Sequence, residues 1–263
     1  MIDSHCHLDG ASFDADREAV LERARRAGVT DVVVPGVEPA GWEPLLRLAA
    51  GLPGVHAALG IHPQALPDLD PAGDDRRLAD LEALLRRGGA VAVGECGLDG
   101  PTVEAGVPLD RQRAVLRGHL DIARRLGLPV ILHALRAPDA IREELERDGV
   151  AAGGVLHSFS GSPDHVGPLA ALGLHFSFAG AITWPGARKP AAAARQVPAD
   201  RLLVETDAPD QAPHPHRGLR NEPARLPLVL GAVAAARGEA PEEVERVTTG
   251  NARRLFRLPG SAP

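Results

Sequence analysis

Short apolar and β-branched runs alternate with longer amphipathic stretches from one end of the 263-residue chain to the other. That alternation is the pattern of repeated strand–helix units and a parallel sheet. Eight runs read as strands: MIDSHCH (1–7), DVVVPG (31–36), VHAALG (55–60), AVAVGE (90–95), PVILHA (129–134), GGVLHSF (153–159), LHFSFAG (174–180) and RLLVETD (201–207). Helical spacing appears between them. In DADREAVLERARRAG (14–28), Val20, Ala24 and Ala27 recur on one face and Gly28 offers a stop. In LDRQRAVLRGHLDIARRLGLP (109–129), Leu116, Leu120 and Ala123 form a stripe that ends at Gly and Pro. LPDLDPAGDD (66–75) and LDGPTVEAGVP (98–108) read as long loops, and APEEVERVTTGNARRLFRLPG (240–260) as two short closing helices with Val247, Ala252, Leu255 and Phe256 on the apolar face.

No Ser/Gly linker or shift of composition divides the chain, so residues 1–263 read as one domain. Eight strand–helix alternations in this length predict an α/β fold, a (β/α)8 TIM barrel with its site at the C-terminal ends of the strands. A doubly wound open sheet is the alternative.

Composition narrows the partners. The net charge is -6, aromatic residues make up 3% and there is no tyrosine. An acidic chain with few stacking platforms is not built to track along nucleic acid, so any phosphate must be attracted locally. No apolar run approaches the roughly 18 residues of a membrane span, and no signal peptide is apparent. Two cysteines, Cys6 and Cys96, are too few for a disulfide scaffold. A cytoplasmic protein is expected, with no protein partner inferable.

The candidate chemistry lies where the strands end. In an extended strand side chains alternate, so His5 and His7 project one way and Cys6 the other. Two converging imidazoles suit a divalent metal, although His-x-His alone is as readily explained by two hydrogen-bonded polar residues. The fourth strand ends in Glu95, the fifth reaches His133, the sixth His157, and the eighth Asp207. Each such residue is costly to bury unless paired or metal-bound, and together they exceed one tetrahedral zinc. A two-metal centre with a bridging carboxylate accounts for the number.

DSHCHLD (3–9), GIHP (60–63), VGECGLD (93–99), LHSFSGS (156–162), ETDAP (205–209), RNEP (220–223) and TTGNARRLF (248–256) together resemble the TatD family of metal-dependent hydrolases in the amidohydrolase superfamily. The resemblance implies that His5, His7, Glu95 and Asp207 hold one metal and Glu95, His133 and His157 the other, Glu95 bridging. The chain departs from the family in HALRA (133–137), where the family reads close to HCRDA; in GPTVEAGVPLDRQ (100–112), which lacks an aromatic-rich loop; and at Asp210, where an aromatic is usual. These departures spare every expected ligand and fall in substrate-facing loops.

The function expected is hydrolysis of phosphodiester bonds, by resemblance a deoxyribonuclease acting on DNA ends through two divalent ions and metal-bound hydroxide. Zinc is the favoured metal, with manganese, magnesium, cobalt or nickel as alternatives. Asp207 and Glu95 are the expected catalytic residues, Asp207 as proton carrier. His62, Arg217 and Arg220 are candidate substrate contacts; Arg136, Arg188 and Lys189 are weaker candidates. His56, His119, His165 and His175 read as surface or interface residues, and His214-x-His216 as a loop without metal. Two other functions compete: hydrolysis of a small ester, lactone, amide or phosphoester, since loops vary the chemistry of this superfamily, and a non-enzymatic metal-containing binding protein, against which the six-ligand set argues.

Overall fold

The computed structural model describes residues 1–259. Its eight strands are β1 (Ile2–Asp3), β2 (Asp31–Pro35), β3 (Val55–Leu59), β4 (Ala90–Asp99), β5 (Val130–Leu135), β6 (Gly154–Leu156), β7 (Leu174–Phe178) and β8 (Leu202–Val204). All adjacent pairs are parallel, in the sequential order β1 to β8. Backbone hydrogen bonds then join first strand to last, from Ser4 N to the Val204 carbonyl (3.2 Å), Asp207 N to the His5 carbonyl (2.9 Å) and His7 N to the Ala208 carbonyl (2.8 Å). The chain is a TIM barrel.

Ten helices occur among the described residues: α1 (Arg17–Arg26), α2 (Trp42–Gly51), α3 (Asp74–Arg86), α4 (Gly100–Glu104), α5 (Leu109–Leu126), α6 (Pro138–Asp148), α7 (Val166–Ala171), α8 (Arg188–Gln196), α9 (Leu226–Arg237) and α10 (Pro241–Phe256). In α1, Val20, Leu21 and Ala24 are buried, and α5 stops at Gly127, which takes the left-handed conformation at φ 63°. None is long and apolar enough to cross a membrane.

Two apolar layers follow from strand alternation. Outward-facing Val32, Val34, Leu59, Val93, Leu132, Leu156, Phe176 and Val204 pack against the helices. Inward-facing Ile2, Val33, Ala58, Ala92, Ile131, Val155 and Leu203 fill the barrel, where Ala252, Leu255, Phe256 and Leu258 meet them. The tail is thus a single 16-residue helix rather than two short ones, and Val244 takes the buried place expected for Val247. Both expected long loops also carry structure: a 3-10 turn over Pro63–Asp68 and the start of α3 in one, α4 in the other. Asp99 nucleates α4 by accepting the Thr102 N–H at 2.7 Å, a cap invisible to hydrophobic periodicity.

Candidate metal centre

Above the apolar plug the barrel interior turns polar. Ser4 and Ser177 hydroxyls meet at 2.9 Å, and Ser4 Oγ donates to the Glu205 carboxylate at 3.3 Å. Over this layer sits Glu95, 1% exposed, where β4 gains a residue against β5: Val93 pairs with Val130, but Cys96 with Leu132. Gly94 and Gly97 make the detour possible. Their φ values are 144° and 148°, and a Cβ on Gly97 would lie 2.0 Å from the His133 carbonyl oxygen.

The two oxygens of Glu95 face two different sets of nitrogens. Oε2 lies 3.2 Å from His5 Nε2 and 3.7 Å from His7 Nε2, and both imidazoles lie 3.6–3.7 Å from Asp207 Oδ1. Oε1 lies 2.7 Å from His157 Nε2, 3.1 Å from His133 Nδ1 and 3.0 Å from His62 Nε2. Four of the other five expected ligands therefore converge on Glu95, Asp207 closes on the His5–His7 side, and His62 joins them.

Hydrogen bonds on the far sides of the rings set which nitrogens are free. His133 Nε2–H donates to Asp99 Oδ2 at 2.8 Å, leaving Nδ1 as a lone pair. His157 Nε2 faces Glu95, while its Nδ1 lies 3.5 Å from Glu205 Oε1 without a hydrogen bond. The Nδ1 of His133 and Nε2 of His157 then meet at 3.0 Å beside Glu95 Oε1. His62 differs. Its Nδ1 accepts the Gln64 N–H at 3.0 Å, which places the ring proton on Nε2 and makes His62 a donor to Glu95 rather than a ligand. Burial holds its pKa below the usual value, consistent with a neutral ring.

Ring nitrogens crowded this closely around a carboxylate form a nest that a bound cation would satisfy. His5 Nε2 and His7 Nε2 stand 3.2 Å apart, while His5 Nδ1, His7 Nδ1 and Glu95 Oε2 are buried without a hydrogen bond; the 3.2 Å approach of His5 to Oε2 is out of donor alignment. Burial alone would lower the pKa values of His133 and His157. Asp99 and Glu95 around the first, Glu95 and Glu205 around the second, reverse the sign and raise both. Burial would likewise raise Glu95, but His157, His62 and His5 pull it well below the carboxylate range. The cage is built to hold positive charge. Ligand-type atoms within 4.8 Å of one another form the groups His5–His7–Glu95 and His62–Glu95–His133 on its two sides, and His5–His157–Glu205 beneath. The nitrogen–carboxylate donor set fits divalent transition metals.

Asp207 is held separately. Gln211 Nε2–H donates to Asp207 Oδ2 (2.5 Å) and to Ser158 Oγ (2.6 Å), which leaves Oδ1 toward His5 and His7. Ser158, Asp207 and Gln211 all adopt left-handed φ values of 46–55°, a conformation rare for non-glycine residues.

Sequence reasoning missed Asp99, Glu205 and Gln211. Asp99 and Glu205 sit inside the very blocks quoted for the resemblance, and the signal was their strand-end position beside a ligand. It also misplaced His119 and His175, which are buried rather than superficial: His119 Nε2 accepts the Ile61 N–H at 3.0 Å, and His175 Nδ1 bonds the Gly154 carbonyl at 3.2 Å. Cys6 and Cys96 are fully buried with thiol pKa values raised by burial, and Cys96 Sγ points to the Ile131 carbonyl, so neither is a ligand. His214 and His216 lie in the loop after β8, and neither is among the residues grouped at the cage or lining its mouth.

Of the expected cations, Arg220 forms a two-pronged pair with Asp16 (2.7 and 2.8 Å), donates to the Ser12 carbonyl and lies over Phe13. That braces the loop after β8 against the start of α1 instead of reaching the cleft. Arg217 stays on the rim, exposed, its guanidinium over Trp184 at 4.5 Å.

A family model described as TatD related DNase matches residues 2–257. An uncharacterized metal-dependent hydrolase, YabD of Bacillus subtilis, is 34% identical over 98% of this chain and 99% of its own. A protein named 3'-5' ssDNA/RNA exonuclease TatD, from Musicola paradisiaca, is 36% identical over 98% of each. The crystal structure of the TatD homologue YjjV from Escherichia coli superposes with a TM-score of 0.91 at 35% identity, covering 98% of both chains. A barrel of this order, with histidines and carboxylates gathered at its strand ends, is therefore that of a member of the TatD family of metal-dependent hydrolases.

Proposed function

We propose that the chain hydrolyses phosphodiester bonds at a two-metal centre, acting on DNA ends. The observation that carries this reading is the split of Glu95: one carboxylate, with separate nitrogen sets at Oε2 and Oε1. His5, His7, Glu95 and Asp207 would hold one divalent ion, and Glu95, His133 and His157 the other. Such a pair supplies Lewis acidity toward the phosphoryl oxygens and an acidified water. The attacking water forms the new P–O bond as the bond to the leaving oxygen breaks. Asp207, with Oδ2 held by Gln211 and Oδ1 facing His5 and His7, would take the water's proton and return it to the leaving oxygen. His62 keeps Glu95 oriented through its Nε2–H. The relative named an exonuclease supports a nucleic-acid substrate, and Arg217 on the rim is the phosphate contact this reading favours.

One observation favours a second reading, hydrolysis of a small ester, lactone, amide or phosphoester: no lysine or arginine lines the cleft over the cage. A metal-reconstituted screen decides between them. The nuclease reading expects nucleotides released from single-stranded ends; turnover of esters, lactones or amides with DNA left intact would replace it.

A further inference from the structure

Two cavities open onto the cage and share His133, His157, Asp207 and Gln211. The larger, about 760 Å³, is the mouth of the barrel, and its rim carries the carboxylates of Asp9, Glu38 and Asp210. The smaller, about 250 Å³, is lined by the end of β5 and by residues at and after the ends of β6 and β7. Its walls are mostly apolar: Leu135, Phe159, Phe178, Ala181, Ile182 and Pro190. Phe159 packs edge-on against Phe176 and Phe178, with ring centres 5.0 and 6.4 Å away. The Ser160 hydroxyl stands at its edge, while the neighbouring Ser158 hydroxyl is engaged by Gln211.

We propose that this recess is the subsite for the nucleobase next to the scissile phosphate. The proposal rests on the phosphodiester reading. Size limits the occupant: the recess falls below the roughly 300–1,000 Å³ that encloses a whole small ligand, and suits a single ring system. Charge selects it further. Neither cavity is lined by lysine or arginine, so a second phosphate has no partner there, whereas a neutral flat ring gains apolar contact and a hydroxyl at its edge. The carboxylates of Asp9, Glu38 and Asp210 disfavour further phosphates over the mouth itself, so contact with the neighbouring strand is left to Arg217 beside it. Recognition therefore concentrates on one base and one phosphate, the demand that an enzyme acting on strand ends makes of its site.

The test compares ligands with and without the base. Binding of thymidine 5'-monophosphate and of deoxyribose 5-phosphate to the metal-loaded protein is measured by calorimetry. In parallel, kcat/KM is measured for a short oligonucleotide ending in thymidine and for one ending in an abasic tetrahydrofuran. Stacking and burial of a base predict a preference on the order of tenfold for the base-bearing partner in both assays. Ala181→Trp, which fills the recess from the half-buried turn Gly180–Thr183, should erase that preference; Ile182→Ala, which widens it, should reduce it and serves if the first variant does not fold. Equal binding and equal cleavage with and without the base would overturn the subsite and leave the phosphodiesterase standing. Cleavage of neither oligonucleotide would overturn the phosphodiester reading and the subsite with it.

Discussion

The two sides of Glu95 are built in opposite ways. On one, His5 and His7 come from a single stretch of seven residues, and their outer nitrogens, both Nδ1 atoms, are buried without a partner. On the other, His62, His133 and His157 arrive from the ends of three different strands; the Gln64 N–H and Asp99 hydrogen-bond the first two from behind, while His157 Nδ1, 3.5 Å from Glu205, is buried without a hydrogen bond. The local side relies on strand alternation for aim, and the assembled side relies on hydrogen bonds at His62 and His133. Disturbing what lies behind the rings should therefore injure one side selectively, while disturbing the carboxylate between them should injure both.

The largest effect belongs to the shared group. Glu95→Gln should lower turnover by three orders of magnitude or more while leaving the fold intact, because it removes the charge both sides face. Cys96→Ala, one residue along but directed at the Ile131 carbonyl, should change turnover by less than about twofold. Similar losses from the two would mean that position in the strand, not the carboxylate, is what matters; steady-state kinetics with circular dichroism decides.

Next comes the support behind one ring. Asp99→Asn should weaken metal binding about 10- to 100-fold at the His133–His157 side alone, so that a metal titration shows one phase shifted to higher concentration and the other in its wild-type place. Equal weakening of both phases would show the two sides to be one unit.

Gln211→Leu removes the hydrogen bond on Asp207 Oδ2 and should weaken metal binding on the His5–His7 side about tenfold, the worth of a hydrogen bond to a charged group. Measuring both variants by the same titration sharpens the contrast, because each should leave the other's phase in place.

The smallest effect on the site, though not on stability, concerns His119, which props the backbone before His62. Burial lowers its pKa from 6.5 to about 4. Between those values the unfolded chain binds the proton and the folded chain does not, so stability is full above pH 6.5 and falls as the pH drops toward 4. The loss from this group is about 3 kcal/mol. His119→Gln should flatten urea-derived stability over this window, with little change in turnover at neutral pH.

The difference between the two sides also marks what could be read in the sequence. His-x-His on one strand is a period-two pattern, visible without any fold. The eight apolar runs, and the polar residue ending each of five of them, were equally legible, because burying a strand leaves a strong local signature. Asp99 and Glu205 left no periodicity, since a carboxylate behind a ring acts across strands, and only their strand-end place beside a ligand marked them. Gln211 was hidden for a further reason: its role depends on three left-handed residues meeting in space. Arg220 was misjudged because proximity in sequence to a functional block does not reveal that Asp16, 204 residues earlier, holds its guanidinium.

The central claim is that one carboxylate divides two metal sites. Elemental analysis of the chain purified without chelator and reconstituted with zinc or manganese tests it most directly. Two metals per chain are expected, falling to one or fewer in Glu95→Gln with turnover lost. A firm plateau at one metal per chain, with wild-type turnover already complete, would contradict the account.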